Sequence, residues 1–447
     1  SAVTIFVLTN CSYGKDDVFT GTSKLSLVII DTFGKHIPDE PKIPARMKII
    51  YDASGGENFL ESSHVDFEGK IGIEIRGKSS QFYPKKQYGF KTWDEKDNDL
   101  DVSLLQLPAD SDWILYAPYS DKTLLRNFLA YDLSNKIGRY AVRTKFVEVL
   151  LNETGDEEIA KHYMGVYLLT ERIKVGKERV DIQTLDTSHL SKTRFLGENG
   201  FLCGYILKVD KLDEGDSYFF TNFGTQLILV YPRGNKISDK QMEWIKDDMT
   251  EFENALSDDN FKDPNHGYAK YIDADSFIDF FILNELFKNV DAYRLSTFMH
   301  KDKNGKLKMG PIWDFNIAMG NVTYYNGWKT DRWMLNDMEP IEDYPVPFWW
   351  DRLLEDRNFV QKLIDRWKAL RKNELETSNI LAMIDETAEL LADAQRRNFQ
   401  KWPIFGIYVW PNPRPYSKTY EEEVGKLRVW MKDRINWIDR NIESLLP

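Results

Sequence analysis

A chain of 447 residues can bury one large core or two smaller ones, and 14% aromatic with 29% charged residues describes a soluble globular protein rather than a disordered one. A net charge of −12 argues against nucleic acid as the main partner, since phosphate contacts need a basic face, although a local cluster of Lys and Arg suffices for a nucleotide. Two cysteines, Cys11 and Cys203, cannot make a disulfide framework, and no run of about 18 apolar residues is present to span a membrane.

Residues 1–24 read as an N-terminal extension, a short strand TIFVLT followed by a polar loop, and the opening Ser-Ala-Val-Thr without Met suggests a form whose leader has been removed. From Leu25 to Phe90 the chain is strand-rich: LSLVIID, ARMKIIYD, KIGIEIRG and QYGFKTW are separated by Pro, Gly and Asp. KIGIEIRG runs into Arg76-Gly77-Lys78-Ser79-Ser80 and then Pro84-Lys85-Lys86-Gln87-Tyr88. Small residues at such a turn let backbone amides approach an anion, and basic side chains surround it, yet it matches neither a Walker A loop nor G-x-G-x-x-G. A hairpin turn with solvated lysines fits it equally well. Strand alternation puts Lys86 on a face with Tyr88 and Phe90, which predicts that Lys86 points inward while Lys85 and Lys91 do not.

DEKDNDLD at 94–101 is an acidic loop that lacks the Gly and Glu of a calcium loop. Ser120-Asp121-Lys122-Thr123 caps a helix, LLRNFLAYDLSNKIG, which Gly138 ends. Two strands follow, KFVEVLLN and MGVYLLTERI. Glu148 is the one acid inside the first of them and needs a partner: either a lysine, as in a phosphate-holding Lys–Glu pair, or a structural ion-pair cation. Residues 186–200 read as a mobile loop, GYILKVDK and TQLILVYP return to strand with Asp210 at the end of the first, and residues 238–257 form an amphipathic helix.

Residues 275–316 organise the chain. Phe277, Phe280, Phe281, Leu283, Leu286 and Phe287 make a helical stripe wide enough to be largely buried. Asn289-Val290-Asp291 breaks it, and LSTFMHK and KLKMGPIW then flank Asp302-Lys303-Asn304-Gly305, a hairpin signal. Folded about Asn304-Gly305, the hairpin sets residue 314 across from 295, or from 293 with a four-residue loop. Either register brings Asp314 back to Asp291. Taken singly, each aspartate could serve as a turn or cap residue. Together, in the order helix, Asp291, hairpin, Asp314-Phe315-Asn316, they have the layout of a phosphoryl-transfer site, in which one Asp orients the acceptor and the next holds metal.

After Asn321 the chain turns helical, with PFWWDRLLEDRNFVQKLIDRWKALR, NILAMIDETAELLADAQRRNF and VGKLRVWMKDRINWIDRNIESLL. Between the last two lies KWPIFGIYVWPNPRPY, whose Trp402, Tyr408, Trp410 and Tyr416 suit packing a loop onto the body of the protein better than stacking on sugars.

These motifs carry a resemblance. Arg76-Gly77-Lys78-Ser79-Ser80 with Pro84-Lys85-Lys86-Gln87-Tyr88, WILYAPYSDK at 113–122, GVYLLTE at 165–171 and GPIWDFN at 310–316 resemble, in this order, the CotH family of spore-coat protein H type kinases over residues 25–321. The resemblance implies an α+β, atypical protein-kinase-like fold with a strand-rich N-terminal half, and a helical region at 322–447 packed on it. It implies transfer of the γ-phosphate of ATP to Ser/Thr hydroxyls of a partner protein, with Mg²⁺ or another divalent ion such as Mn²⁺ or Ca²⁺. Asp291 would be catalytic and Asp314 a metal ligand, with Asn316 or Asp210 as the second; Arg76, Ser79, Ser80, Lys85, Lys86, Glu148 and Glu171 would surround the nucleotide. The chain departs from ordinary kinases in having no His-Arg before Asp291, Ser296 where a metal-binding Asn is usual, and Asn316 in place of Gly. The alternative is a non-catalytic, adhesin-like surface module that keeps a kinase-like shell. Family context and the leaderless start imply an extracytoplasmic site, and a monomer is expected.

Overall fold

The computed structural model describes residues 19–185, 203–338 and 344–447. The strand predicted at 4–9, Cys11 and the loop at 186–200 lie outside the described residues.

Alternating apolar residues close the first half of the chain into a seven-stranded barrel. Its strands are β1 (Ser26–Asp31), β2 (Ile43–Ile50), β3 (Val65–Arg76), β4 (Gln87–Trp93), β5 (Asp112–Tyr116), β6 (Thr144–Asn152) and β7 (Tyr163–Glu171), in the order β1-β2-β3-β4-β5-β7-β6. Neighbours are antiparallel except β1 and β6, whose parallel pairing closes the ring. Residues two apart share a face, so Val28 and Ile30, Ile71 and Ile73, Tyr88 and Phe90, and Val147 and Val149 fill the interior together. Glu148, between two of these, necessarily faces out of the barrel.

Between β5 and β6 runs helix α1 (Arg126–Lys136). Asp121 starts it, accepting the Arg126 N–H at 2.8 Å and the Thr123 N–H at 3.1 Å. A second, antiparallel sheet follows, built from β8 (Tyr205–Val209), β9 (Tyr218–Phe220), β10 (Gln226–Tyr231), β11 (Thr297–Lys301) and β12 (Lys308–Met309) in the order β9-β10-β8-β11-β12. Helix α2 (Asp239–Ser257) begins with a capping box between Ser238 and Gln241.

Helix α3 (Ala274–Phe287) is buried on all sides rather than on one stripe: every residue from Ser276 to Phe287 is buried, Asp279, Asn284 and Glu285 among them. It starts at Asp273, whose side chain accepts the Ser276 N–H, and stops where Lys288 turns left-handed at φ 46°. After a single helical turn at Met334–Asp337 come α4 (Trp349–Leu354), α5 (Arg357–Leu370), α6 (Thr377–Leu390), α7 (Ala392–Lys401) and α8 (Tyr420–Asn441). α5 and α8 pack on α3, and α7 lies on β7 of the barrel. One hydrophobic core joins α1, α3, the second sheet and the C-terminal helices.

The hairpin after α3 forms, but its register lies between the two expected. Met299 pairs with Met309 and His300 with Lys308, which sets position 314 opposite 294. Two local causes account for the shift. The left-handed turn residue is Asn304, at φ 59°, and the Gly305 N–H closes the turn on Asp302 O at 2.9 Å. Leu307 then leaves the hairpin to bridge Ile272 at the entry to α3.

Candidate active site

Asp291 sits one turn past α3. Its N–H donates to Asn289 Oδ1 at 3.2 Å, and its carbonyl accepts the Leu295 N–H at 3.0 Å. Asp314 follows the hairpin in left-handed backbone, φ 65°, a conformation that a non-glycine residue holds only when its surroundings impose it. Helix α1 imposes it. Asn127 Oδ1 accepts the Phe315 N–H at 2.7 Å, and Tyr131, four residues along on the same face, accepts the Asp314 N–H at 3.2 Å. The Tyr131 ring also stacks on Trp313, with centroids 5.7 Å apart. Arg76, at the end of β3, lies with its guanidinium carbon 5.8 Å from the centre of the same indole.

The acids lie within reach of one another's charge. Burial pushes the Asp314 carboxyl up to about 7, the charges of Asp291 and Asp210 add to the rise, and Arg76 opposes it. Asp291 is also raised, first by burial and then by Asp210, against Arg294 and Lys211. Burial and the neighbouring Arg172 pull Arg76 down to about 10, against the attraction of Asp314. The hydrogen bonds that hold Asp291 and Asp314 run through backbone groups, so neither carboxylate has a donor among the described residues.

Opposite them is the turn that follows β3. Gly77 has φ 98°, and a Cβ there would stand 2.0 Å from Ser80 Oγ, so the turn requires glycine. Lys78 Nζ crosses to Lys211 O at 2.9 Å, Leu212 O at 3.1 Å and the Asp213 carboxylate at 2.8 Å, tying the turn to the loop that carries Asp210. Ser79 is exposed and Ser80 half-buried in that turn. The C-terminal aromatic loop closes another side. Tyr83 donates to Trp410 O at 2.6 Å, and Trp410 stacks on Tyr324, whose hydroxyl is pushed up by burial and by Asp291.

The alternation reading of the two lysines needs correction, and of the two partners open to Glu148 the structural cation is the one that binds it directly. Lys86 is not the inward lysine: β4 begins only at Gln87, the alternation does not extend back past it, and Lys86 Nζ bonds Gln81 O at 2.5 Å. Lys85 is the buried one, 1% exposed, with Nζ on Val166 O at 2.5 Å and Asn398 Oδ1 at 2.8 Å and its ammonium 4.7 Å from the Tyr167 ring centre. Glu148 makes no direct ion pair with a lysine among the described residues, although its charge acts on the buried Lys85. Its carboxylate takes Arg397 Nε at 2.9 Å and Nη2 at 2.6 Å, with the Tyr163 hydroxyl beside them. Glu171 is likewise held, by Arg143 and Arg179, each at 2.8 Å, and by Tyr140 at 3.0 Å. Both glutamates belong to buried ion pairs, and among the described residues no hydrogen bond or ion pair joins them to the aspartates.

Asn316 is half-buried, and its carbonyl accepts from Asn321 Nδ2 at 2.8 Å. No group of three His, Cys, Asp or Glu among the described residues forms a metal cage. The donor set nevertheless suits a hard divalent ion of the Mg²⁺ type, which takes one or two carboxylates and leaves other positions to phosphate and water. Such a charge would offset both the burial and the neighbouring acids that raise Asp314. Cavities of about 200 Å³ (behind Met319–Asn321) and 230 Å³ (beside Gly310–Ile312) are lined by none of the three acids. Among the described residues no helix is long and apolar enough to cross a membrane.

Tyr131, Asn127, Arg294 and Tyr324 were not singled out from the sequence. The i, i+4 spacing of Asn127 and Tyr131 on α1 was a readable signal, while the other two depend on how the segment after 321 folds back.

A buried helix leads to one acid, a hairpin returns a second within reach of its charge, and the turn after β3 is tied to the loop that carries a third. The family profile described as CotH kinase protein matches residues 73–438, and the chain belongs to that family. The match bears out the motif resemblance and extends it past residue 321 through most of the C-terminal helices. No curated protein matches the sequence. Among solved structures the chain is similar to the crystal structure of the Helicobacter pylori proinflammatory kinase CtkA, at 10% identity over 93% of this chain and 98% of that one; the TM-score of 0.30 is too low to bear on the fold.

Proposed function

We propose that this chain is an ATP-dependent protein kinase that transfers the γ-phosphate to Ser or Thr hydroxyls of a partner protein. The observation that carries the reading is the meeting of Asp291 and Asp314, far apart in sequence, at one site where both carboxyls are raised and both carboxylates are free of donors among the described residues. A divalent ion bound there would neutralise charge on the phosphates. Asp314 would hold it, with Asn316 or Asp210 completing the protein's share. Arg76 and the Gly77 turn would bind phosphate oxygens. Asp291 would orient the acceptor hydroxyl and take its proton as the new O–P bond forms and the bond to the ADP oxygen breaks. The raised Asp291 suits a proton acceptor better than an ordinary surface carboxylate. Lys85, Glu148 and Glu171 have no direct part in this reading, being committed to the scaffold. The reading includes an extracytoplasmic, monomeric protein with no nucleic-acid partner.

The test is transfer of labelled γ-phosphate to Ser-rich protein substrates, run beside a Mg²⁺-ATP binding titration on the same preparation. Transfer that requires a divalent ion is expected. Binding of Mg²⁺-ATP with no transfer to any substrate would favour the non-catalytic module instead.

A further inference from the structure

Arg294 is buried, 2% exposed, three residues after Asp291. Its Nη2 donates to Val290 O at 3.1 Å, while Nε and Nη1 are sealed from solvent without an acceptor. No carboxylate pairs with it among the described residues. Other buried guanidiniums of this fold are matched: Arg434 meets Glu285 at 3.2 Å, and Arg126 meets Asp121. A buried charge left with free N–H groups is costly, and it persists where an incoming partner uses it.

The surroundings say what that partner is. Arg294 acts electrostatically on Asp291 and on Tyr324, so it borders the acid site, yet it bonds to neither. Its guanidinium lies 4.6 Å from the ring centre of Tyr325, which covers it. Tyr325 and Asn326 are consecutive left-handed residues, at φ 48° and 50°, in a short segment pinned by Gly327, where a Cβ would lie 2.3 Å from Val322 and 2.5 Å from Val290. The cover is therefore a strained piece of backbone resting on a small apolar cluster, with the guanidinium stored beneath it.

We propose that Arg294 is a catalytic residue of the phosphoryl transfer, its guanidinium leaving Tyr325 to bind oxygens of the transferring phosphoryl group. This rests on the kinase reading above. In such a transfer the charge spreads over the three equatorial oxygens, and the protein's contribution is positioned positive charge. Arg294 supplies a fixed charge and unused N–H donors beside the aspartate that orients the acceptor, and it adds no proton-transfer step. It joins the oxygens of the phosphoryl group while the acceptor oxygen gains phosphorus and the ADP oxygen leaves with its electron pair.

The experiment compares Arg294→Met and Arg294→Lys with the parent in melting temperature, Mg²⁺-ATP affinity and turnover. Arg294→Met removes a buried charge without a partner, so its melting temperature is expected to hold or rise, with nucleotide affinity retained and turnover down by at least ~10²-fold. Millimolar guanidinium ion is expected to restore part of that loss, which a packing role would not allow. If the Met variant fails to fold, Arg294→Lys decides, since it keeps the charge but not the planar fork, and its turnover is expected to fall about tenfold or more. A parent that transfers phosphate, with turnover undiminished in whichever variants fold, overturns the role of Arg294 alone. A parent that transfers none overturns the kinase reading and this assignment together.

Discussion

Two faces of the chain around the end of α3 carry buried charge in opposite ways. On one face Glu285 accepts from Arg434, Tyr293 and the Met334 and Leu335 N–H groups, and Lys288 meets Asp337 at 2.9 Å and Asp331 O at 2.6 Å. On the other, a few residues on, Asp291, Asp314 and Arg294 have free carboxylates and free guanidinium N–H groups among the described residues. The first pattern recurs where α7 meets the barrel, with Glu148 and Arg397. Matched buried charge holds a scaffold in one arrangement; unmatched charge is kept where a ligand will complete it. Substitutions on the two faces are therefore expected to trade stability against activity in opposite senses.

The largest effect is expected on the matched side. Arg397→Met leaves Glu148 buried without a cation, and breaking such a pair costs about 3–5 kcal/mol. Chemical denaturation measures it, and a loss well below that range would mean that Tyr163 alone carries Glu148. Next comes the unmatched side, where Asp291→Asn is expected to slow transfer by at least ~10²-fold while Mg²⁺-ATP binds as before. A variant with full transfer would remove Asp291 from catalysis, and one that lost stability instead would move it to the matched class.

A pH titration sharpens the comparison further. Asp314 folded titrates near about 7, above its ordinary 3.8, so without a divalent ion the folded state keeps a proton that the unfolded chain releases. That contribution to stability is full below pH about 4 and disappears as pH rises through about 7. A cation bound at Asp314 must expel the proton, so Mg²⁺-ATP affinity is expected to fall by up to tenfold per pH unit below about 7. Calorimetry in buffers of different ionisation heat reads the proton release. A flat affinity between pH about 5.5 and 7.5, with no proton released, would take Asp314 out of the metal site. The smallest effect is structural: Gly77→Ala forces a side chain into left-handed backbone against Ser80, at roughly 1–2 kcal/mol. It is expected to weaken nucleotide binding as well, and unchanged binding would separate this turn from the phosphates.

Much of the site was legible in the sequence. The length and apolar character of α3, the break at Asn289 and the Asn-Gly turn were enough to bring two distant aspartates together. Ser238 opened its helix where the sequence placed the start, because capping chemistry is local. The hairpin's register was not legible, since it turned on whether Asn304 or Gly305 took the left-handed position and on the departure of Leu307 toward Ile272. The choice between Lys85 and Lys86 failed for a related reason: period-two alternation holds only inside a paired strand, and both lysines precede β4.

What the chain's own order of residues determined, then, is everything that depends on neighbours within a few positions: strands from alternation, helices from caps and apolar period, the glycine turn at 77, and the pairing of Asp291 with Asp314 through one hairpin. Tertiary structure alone decided the partners of buried charge. Glu148 lies 249 residues from Arg397, and Glu285 lies 149 from Arg434. No local pattern selects one arginine among so many. The energy that does select it, the cost of leaving a charge in a dry interior, exists only once the chain has closed around it. The same holds for Arg294, whose lack of a carboxylate partner among the described residues is a property of the folded interior and has no trace in the sequence around it.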